Sequence, residues 1–389
     1  MVRALWPFII GSVALGLDAY VIAGLLPTIA DDLHTTQSLV GLGVTAFTGA
    51  YAVSGPLLAG HAGRDSGRNL TIALAVFAAG NLLTVLAPTI AVFIVARVIA
   101  GAAAGVYSPL SSAVAAHLVA PERRGRALSL VLAGMATGSV FGVPLGLLVA
   151  QRIDWRATIG IITALGVLAL LGVRFRGGEP LPRIEAPGLT ARLRSLTATP
   201  TLLTVLVTLV TGIGSLGLYT YISPLLSTSS LSEHLTLSIW IWGIGGAVGV
   251  FAIGRIVDAL KNTLAITAAI TATLALVLLV IGLEPAAVVL AAGLFLWGAL
   301  GWSSLAPQQH TLLAAARENG PTAVAANASA NYLGSAIGSA AGAALVAGGT
   351  VGGSLALLAA CPLLLALLLQ LVRLRIARGA GVDQTATVA

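Results

Sequence analysis

Apolar stretches of about 20 residues, each long enough for an α-helix to cross the hydrocarbon core of a bilayer, recur twelve times in this chain, and nearly every charge falls between them. Lipid offers backbone N–H and C=O groups no partner, so a chain that crosses it folds as helices or as a closed barrel. Barrel strands alternate with period two; runs such as Leu70 to Leu86 and Leu264 to Leu283 do not. With 58% hydrophobic and 8% charged residues among 389, the chain reads as an all-α, polytopic membrane protein. The spans are expected at about 4–29, 37–60, 70–89, 91–117, 127–150, 156–174, 201–226, 234–257, 263–283, 286–312, 321–347 and 352–374. They leave no room for a sizeable soluble domain.

The charges between the spans are strongly sided. With the N-terminus inside, all of the 20 Lys and Arg residues except Arg97, Arg152 and Arg156 lie on the cytoplasmic side. The positive-inside rule then puts both termini in the cytoplasm of a multi-pass protein of the inner (plasma) membrane. The net charge of +7 is therefore a topology signal, and no nucleic-acid partner is expected. Cys361 is the only cysteine and lies in the last span, which excludes disulfides within the chain and thiolate metal clusters. No metal site is expected. Arg3 and the apolar run after it resemble a signal peptide, but the run passes through Asp18 to Ile29 without a small-x-small site, so an uncleaved first helix is expected.

The one long polar segment divides the spans into six and six. Gly177, Gly178, Pro180, Pro182 and Pro187 mark a linker, and Leu189, Leu193 and Leu196 with Arg192 and Arg194 suggest a short amphipathic helix on the membrane surface. The expected organisation is a six-helix bundle over 1–174, a cytoplasmic linker over 175–200, and a second bundle with a short tail over 201–389. The halves echo each other. Gly55 and Gly60 match Gly249 and Gly254 at an offset of 194; Gly138, Gly142 and Gly146 match Gly334, Gly338 and Gly342 at 196; Glu122 matches Glu318 at 196, and Pro27 matches Pro224 at 197. Paired six-helix halves are a transporter plan, with the substrate site near the midplane at their interface.

Asp18 and Arg97 are the formally charged residues deep in the spans. Each costs about 2.5–3.5 kcal/mol to place at mid-bilayer on insertion scales, so such residues face a cavity or a partner. Burial favours a neutral carboxyl and a nearby cation favours a charged one. Asp18 in an alternating environment can therefore carry a proton; the other reading is a structural polar contact to a second helix. Candidates for lining a substrate cavity are Tyr20, Tyr221, Trp242, Trp297, Asn327 and Asn331, the last two at i, i+4 on one helix face. Trp and Tyr also favour membrane interfaces. Gln309 and His310 suit a proton path or an interfacial position equally. Gly134, Gly138, Gly142 and Gly146 form a ladder of small residues that allows close helix contact, and Pro144 within it is expected to kink the helix. No catalytic residues emerge: His-Glu-x-x-His, a phosphate-binding Gly-x4-Gly-Lys-Ser/Thr and paired acidic motifs are all missing from the sequence. Without a nucleotide loop, energy must come from a gradient, and no cofactor is expected.

Several motifs together carry a family likeness: Gly24-Leu-Leu-Pro-Thr-Ile-Ala30, Arg97-x3-Gly101-x3-Gly105, Pro121-Glu-Arg-Arg-Gly-Arg-Ala127, Gly142-Val-Pro-Leu-Gly146 and Trp155-Arg-Ala157. In these the chain resembles the major facilitator superfamily, and within it the bacterial drug:proton antiporter branch that includes sugar-efflux and chloramphenicol-efflux permeases. The resemblance covers essentially the whole chain. It implies a fold of two pseudo-symmetric six-helix bundles and a role for Arg97 in proton coupling, against which stands simple snorkelling. It makes Gly138, Gly142, Pro144 and Gly146 the antiporter motif where span 5 meets the second half. It also implies a cytoplasmic gate at Gly60, Arg64, Asp65, Gly67 and Arg68, with Asp258 as the second-half equivalent. Here the family's Asp-Arg order is reversed to Arg64-Asp65, and an Arg would meet a facing helix N-terminus badly. Arg64 and Arg68 read equally as topology anchors. The reading implied is a monomeric secondary transporter that exports a small drug-like or sugar-like molecule in exchange for protons. Import of a nutrient on the same scaffold is the alternative, and a non-transporting receptor or lipid-modifying protein ranks below it.

Overall fold

The computed structural model describes residues 2–62, 65–120, 123–176, 181–184, 199–315 and 320–379. The described elements are all helical, and contacts divide the chain into two compact units, Met1–Leu189 and Thr190–Ala389. Eleven helices among the described residues are long and apolar enough to cross a membrane. The twelfth expected span is the 28-residue helix Gly320–Ala347. It has the length, but its amides and its many Gly, Ala and Ser residues dilute its apolar character. Large apolar side chains such as Leu57, Val95, Leu132, Phe251, Val288 and Leu368 lie exposed on the outside, the surface that lipid tails would cover. The expected amphipathic linker helix lies outside the described residues.

The first unit comprises α1 (Val2–Asp32), α2 (Gln37–Ala62), α3 (Ser66–Val85), α4 (Ile90–His117), α5 (Arg124–Thr137), α6 (Val143–Arg152) and α7 (Trp155–Arg174). Sequence signals set the starts: Asp65, Thr89 and Asp154 each accept a hydrogen bond from a first-turn amide of α3, α4 and α7, satisfying donors a helix cannot satisfy itself. α1 packs against α2, α4, α5, α6 and α7, so polar groups on it are sealed on most sides. Between α5 and α6 the chain widens into a π-turn over Gly138–Gly142. Pro144 has no N–H to offer Val140, and the amide of Val143 reaches back five residues to Gly138 O instead.

The second unit comprises α8 (Thr199–Tyr219), α9 (Ile222–Leu226), α10 (Leu235–Leu260), α11 (Thr263–Gly282), α12 (Ala287–Ser303), α13 (Leu305–Ala315), α14 (Gly320–Ala347) and α15 (Gly353–Gly379). Two expected spans are broken. The segment 201–226 interrupts at Thr220 and Tyr221, and 286–312 interrupts at Ser304. Each break begins at or next to the residue four before a proline, Pro224 or Pro307, where the missing N–H leaves a carbonyl unbonded.

The internal repeat survives as matching contacts. A Cβ on Gly138 would overlap the backbone oxygen of Val13, and one on Gly334 would overlap that of Leu209; both pairs are related by 196 residues. Within each unit, the glycine ladder thus seats α5 and α6 on α1, and α14 on α8.

The helix ends away from the basic loops are clamped in both units, again at corresponding positions. In the first, Arg156 donates to Asp32 Oδ2 at 2.5 Å and to the carbonyls of Val85 and Ala87 at 3.1 and 3.3 Å. Trp155 Nε1 donates to the same carboxylate oxygen at 3.2 Å. In the second, Glu284 accepts from Thr228 Oγ1 and from the Gly353 amide, both at 2.6 Å. These two bonds hold the Glu284 carboxyl below its ordinary pKa of 4.5. A depressed value means the clamp contributes fully above about pH 4.5 and is lost as pH falls through the lower, folded-state value. Glu284→Gln is expected to cost about 1 kcal/mol at neutral pH. Denaturant melts of variant and parent, compared from neutral to acid pH, should converge at the acid end.

Candidate functional site

The geometry of α1, α3 and α4 brings three polar side chains together in the interior of the first unit. Close contact of Gly80 with the backbone of Ala100 presses α3 onto α4, and Gly101 lets α4 reach the backbone of Phe47 on α2. Those approaches put Asn81 beside Arg97 and Phe47 beneath it. Asp18, Asn81 and Arg97 are 1%, 0% and 1% exposed. Arg97 Nη1 donates to Asp18 Oδ1 at 2.7 Å and to Asn81 Oδ1 at 3.3 Å, and Nη2 donates to the Asp18 carbonyl at 3.4 Å. Asn81 Nδ2 donates to Asp18 Oδ2 at 3.0 Å and to Phe77 O, four residues back, at 3.2 Å. The Phe47 ring lies under the guanidinium, 4.4 Å from Cζ to its centroid, a cation–π contact that counts for more when water is excluded. Arg97 Nε alone among these donors has no partner.

Both carboxylate oxygens therefore have a donor, and the ion pair is desolvated. Such a pair is weak evidence for stability, since its Coulomb energy largely repays desolvation, but removing one member leaves a lone buried charge. Arg97 does not snorkel, and Asp18 has found a polar partner on another helix. Asn81 was not among the sequence candidates; it is a single uncharged amide in an apolar span, and only its contact distinguishes it. Asn81→Leu is expected to lower stability by about 1–3 kcal/mol, because Asp18 Oδ2 loses its donor; urea or SDS unfolding in micelles would measure it.

The second unit answers with rings. Trp297 Nε1 donates to Ser215 Oγ at 3.0 Å. Ser215 follows Asp18 by 197 residues and Trp297 follows Arg97 by 200, so this bond joins the repeat-equivalent helices near the register of the ion pair, without charge. Tyr219 stacks on Trp242 with centroids 4.1 Å apart, and both meet Trp297 edge-on at 6.4 and 6.1 Å. Trp302 meets Trp242 edge-on at 6.1 Å. Tyr219, Trp302 and Ser215 complete a cluster of which sequence reasoning named only the two tryptophans.

The remaining candidates scatter. Asn327 is fully buried with Thr208 and Gln308: Thr208 Oγ1 lies 2.6 Å from Asn327 Oδ1 and closer still to Gln308 Oε1. One hydroxyl proton cannot serve two acceptors. Turning the Asn327 amide over lets its otherwise unpartnered Nδ2 donate to Thr208 while Thr208 donates to Gln308. Asn331 is only part-buried on the same helix. Tyr221 donates to Ser339 O at 2.9 Å and packs on Gly342, apart from the aromatic cluster. Tyr20 is buried in the first unit. His310 is exposed, and the buried amide is Gln308, not Gln309. Of the gate residues, Arg64 lies outside the described residues and Gly60 sits in the last turns of α2. Asp65 caps α3 by accepting from Arg68 N at 3.0 Å. Gly67 is half-buried, and Arg68 and Asp258 are exposed. No group of His, Cys, Asp or Glu among the described residues is arranged to hold a metal.

Comparison with known proteins identifies the family and the fold. The chain is 29% identical over 318 residues to the uncharacterized MFS-type transporter YfhI of Bacillus subtilis, covering 80% of this chain and 79% of that one. It is 27% identical over 241 residues, 61% of each chain, to a probable sugar efflux transporter of Helicobacter pylori; that alignment spans less than two thirds of the relative. Among solved structures, a partially occluded inward-open conformation of the Escherichia coli xylose transporter XylE matches with a TM-score of 0.73 at 18% identity, covering 95% of this chain and 98% of that one, a likeness of fold. Residues 8–339 match the profile of the Major Facilitator Superfamily, a family of transporters and not of enzymes, and this chain belongs to it.

Proposed function

We propose that the protein exports a small, partly apolar, hydrogen-bonding molecule of drug-like or sugar-like character in exchange for protons, by alternating access. The observation that carries this reading is the division of chemistry between the units: a buried ion triad in the first and an uncharged cluster of rings at the corresponding level of the second. Protonating Asp18 removes the negative partner of the Arg97 guanidinium. A lone guanidinium in a dry bundle is unfavourable, so proton uptake favours arrangements that admit water or a substrate acceptor. The free Arg97 Nε is a ready donor for either. Tyr219, Trp242 and Trp297 are buried against one another in this structure, and in this reading the alternating-access movement uncovers their flat apolar faces for aromatic or sugar rings. The likeness to a sugar efflux transporter supports outward transport. In this reading the protein works as a monomer in the inner membrane with both termini in the cytoplasm, and the proton gradient takes the place of any cofactor.

A thermal-shift screen of the purified protein with antibiotics, sugars and nucleosides would identify ligands. Flux of the best ligand in proteoliposomes under an imposed pH gradient then tests the mechanism. Movement opposite to the proton flux is expected. Movement with the protons would establish the import reading, and flux indifferent to the gradient would remove coupling altogether.

A further inference from the structure

Arg373 lies two turns before the end of α15 and is 5% exposed, yet among the described residues no hydrogen bond or carboxylate is assigned to it; the ion pairs there belong to Arg97 and Arg156. Its surroundings make this more unusual. Gln370, one turn earlier on the same face, donates through Nε2 to Leu264 O in the first turn of α11 at 2.8 Å. α15 packs against α11 and α8, and both of those helices begin at this end, so their positive termini offset the negative C-terminal end of α15, which by itself would favour a cation. Lys261, at the end of α10, and Arg375 add exposed positive charge. Asp258 is exposed on α10 and makes no ion pair with Arg373.

Arg373 is enclosed but not sealed, since 5% of its surface stays exposed; the sealed side-chain atoms without a partner include Gln370 Oε1 on the same helix. In α11 the Asn262 side chain accepts from Ala265 N at 3.0 Å, and its carbonyl accepts from Ile266 N. The amides of Thr263 and Leu264 remain as the donors a helix start offers to an anion. Arg373 lies one turn beyond Gln370 on α15, which puts it at the level of this helix start, and a planar guanidinium together with free first-turn amides is the donor set that a phosphate group fits. The position is at the end of a span, on the face that carries the basic loops, where headgroups of the bilayer lie.

We propose that Arg373 and the first turn of α11 bind the phosphate of an anionic phospholipid, independently of the Asp18 triad. The test is thermal unfolding of the full-length, delipidated protein in detergent, titrated with phosphatidylglycerol, phosphatidylcholine or inorganic phosphate at matched ionic strength. Phosphatidylglycerol should raise the melting temperature and phosphatidylcholine should not. Arg373→Gln should weaken half-saturation by phosphatidylglycerol about tenfold, whereas Arg375→Gln, altering an exposed neighbour, should leave it near the parent value. Native mass spectrometry of the unmodified protein, counting retained phosphatidylglycerol against phosphatidylcholine, decides the matter if the Arg373 variant does not fold. Equal stabilisation by inorganic phosphate would overturn the lipid as source and leave an anion site. No preference for phosphatidylglycerol, or an undiminished effect in Arg373→Gln, would overturn the site itself.

Discussion

Asp18→Asn is expected to reduce pH-gradient-driven flux to background while the protein still folds and inserts. The substitution is nearly isosteric, so the volume that α1 presents to its neighbours is unchanged, and the amide oxygen can still accept from Arg97 Nη1. What disappears is the titratable group. The new NH2 also faces Asn81 Nδ2, which donates to Asp18 Oδ2 in the native protein, so two donors meet. Relief requires Asn81 to turn its amide over, which breaks its bond to Phe77 O and presents its NH2 to Arg97. The variant therefore loses coupling and also loosens the contact among α1, α3 and α4. Measured in proteoliposomes, substrate exchange without a gradient should outlast gradient-driven flux. Retention of full pH-driven transport would remove Asp18 from the mechanism.

Arg97→Met is expected to destabilise the first unit by about 3–5 kcal/mol, because Asp18 is left as an uncompensated buried charge. The decisive comparison is the double variant Asp18→Leu with Arg97→Met. Apolar replacements of both members of a buried pair are often neutral or stabilising, so the double variant should recover most of the loss in an SDS or urea melt. Its transport should nevertheless be uncoupled from protons. That pattern, stability restored and coupling absent, separates a functional ion pair from a structural one. A double variant as unstable as Arg97→Met would mean that its cost came from lost packing against Phe47 instead of from the stranded charge.

The crossing helices were legible because a bilayer imposes a length and a composition that any 20-residue window reveals. The breaks in the seventh and tenth spans were legible in principle too, at the carbonyls four before Pro224 and Pro307, yet the apolar run continues through both and masks them. Asp18 and Arg97 stood out because charge in a span is rare. Their contact did not, since 79 residues separate them and only the packing of α3 and α4 fixes the distance. Asn81 carries no charge and gave no signal at all. Around the tenth span a shift of one residue turns a side chain by about 100°, which is why Gln309 and His310 drew attention while the buried amide is Gln308. Trp242 and Trp297 meet, but Tyr221 and Asn327 pack elsewhere, because candidates chosen by residue type carry no information about which helix face they share.

Exchange of a proton at Asp18 inside the first unit is the central step of the proposed mechanism. Infrared difference spectroscopy of the purified protein on acidification tests this without knowledge of the substrate. A protonated-carboxyl stretch characteristic of a dry environment should grow in the unmodified protein and be missing from Asp18→Asn. The same band in both proteins, or no such band in either, would contradict it.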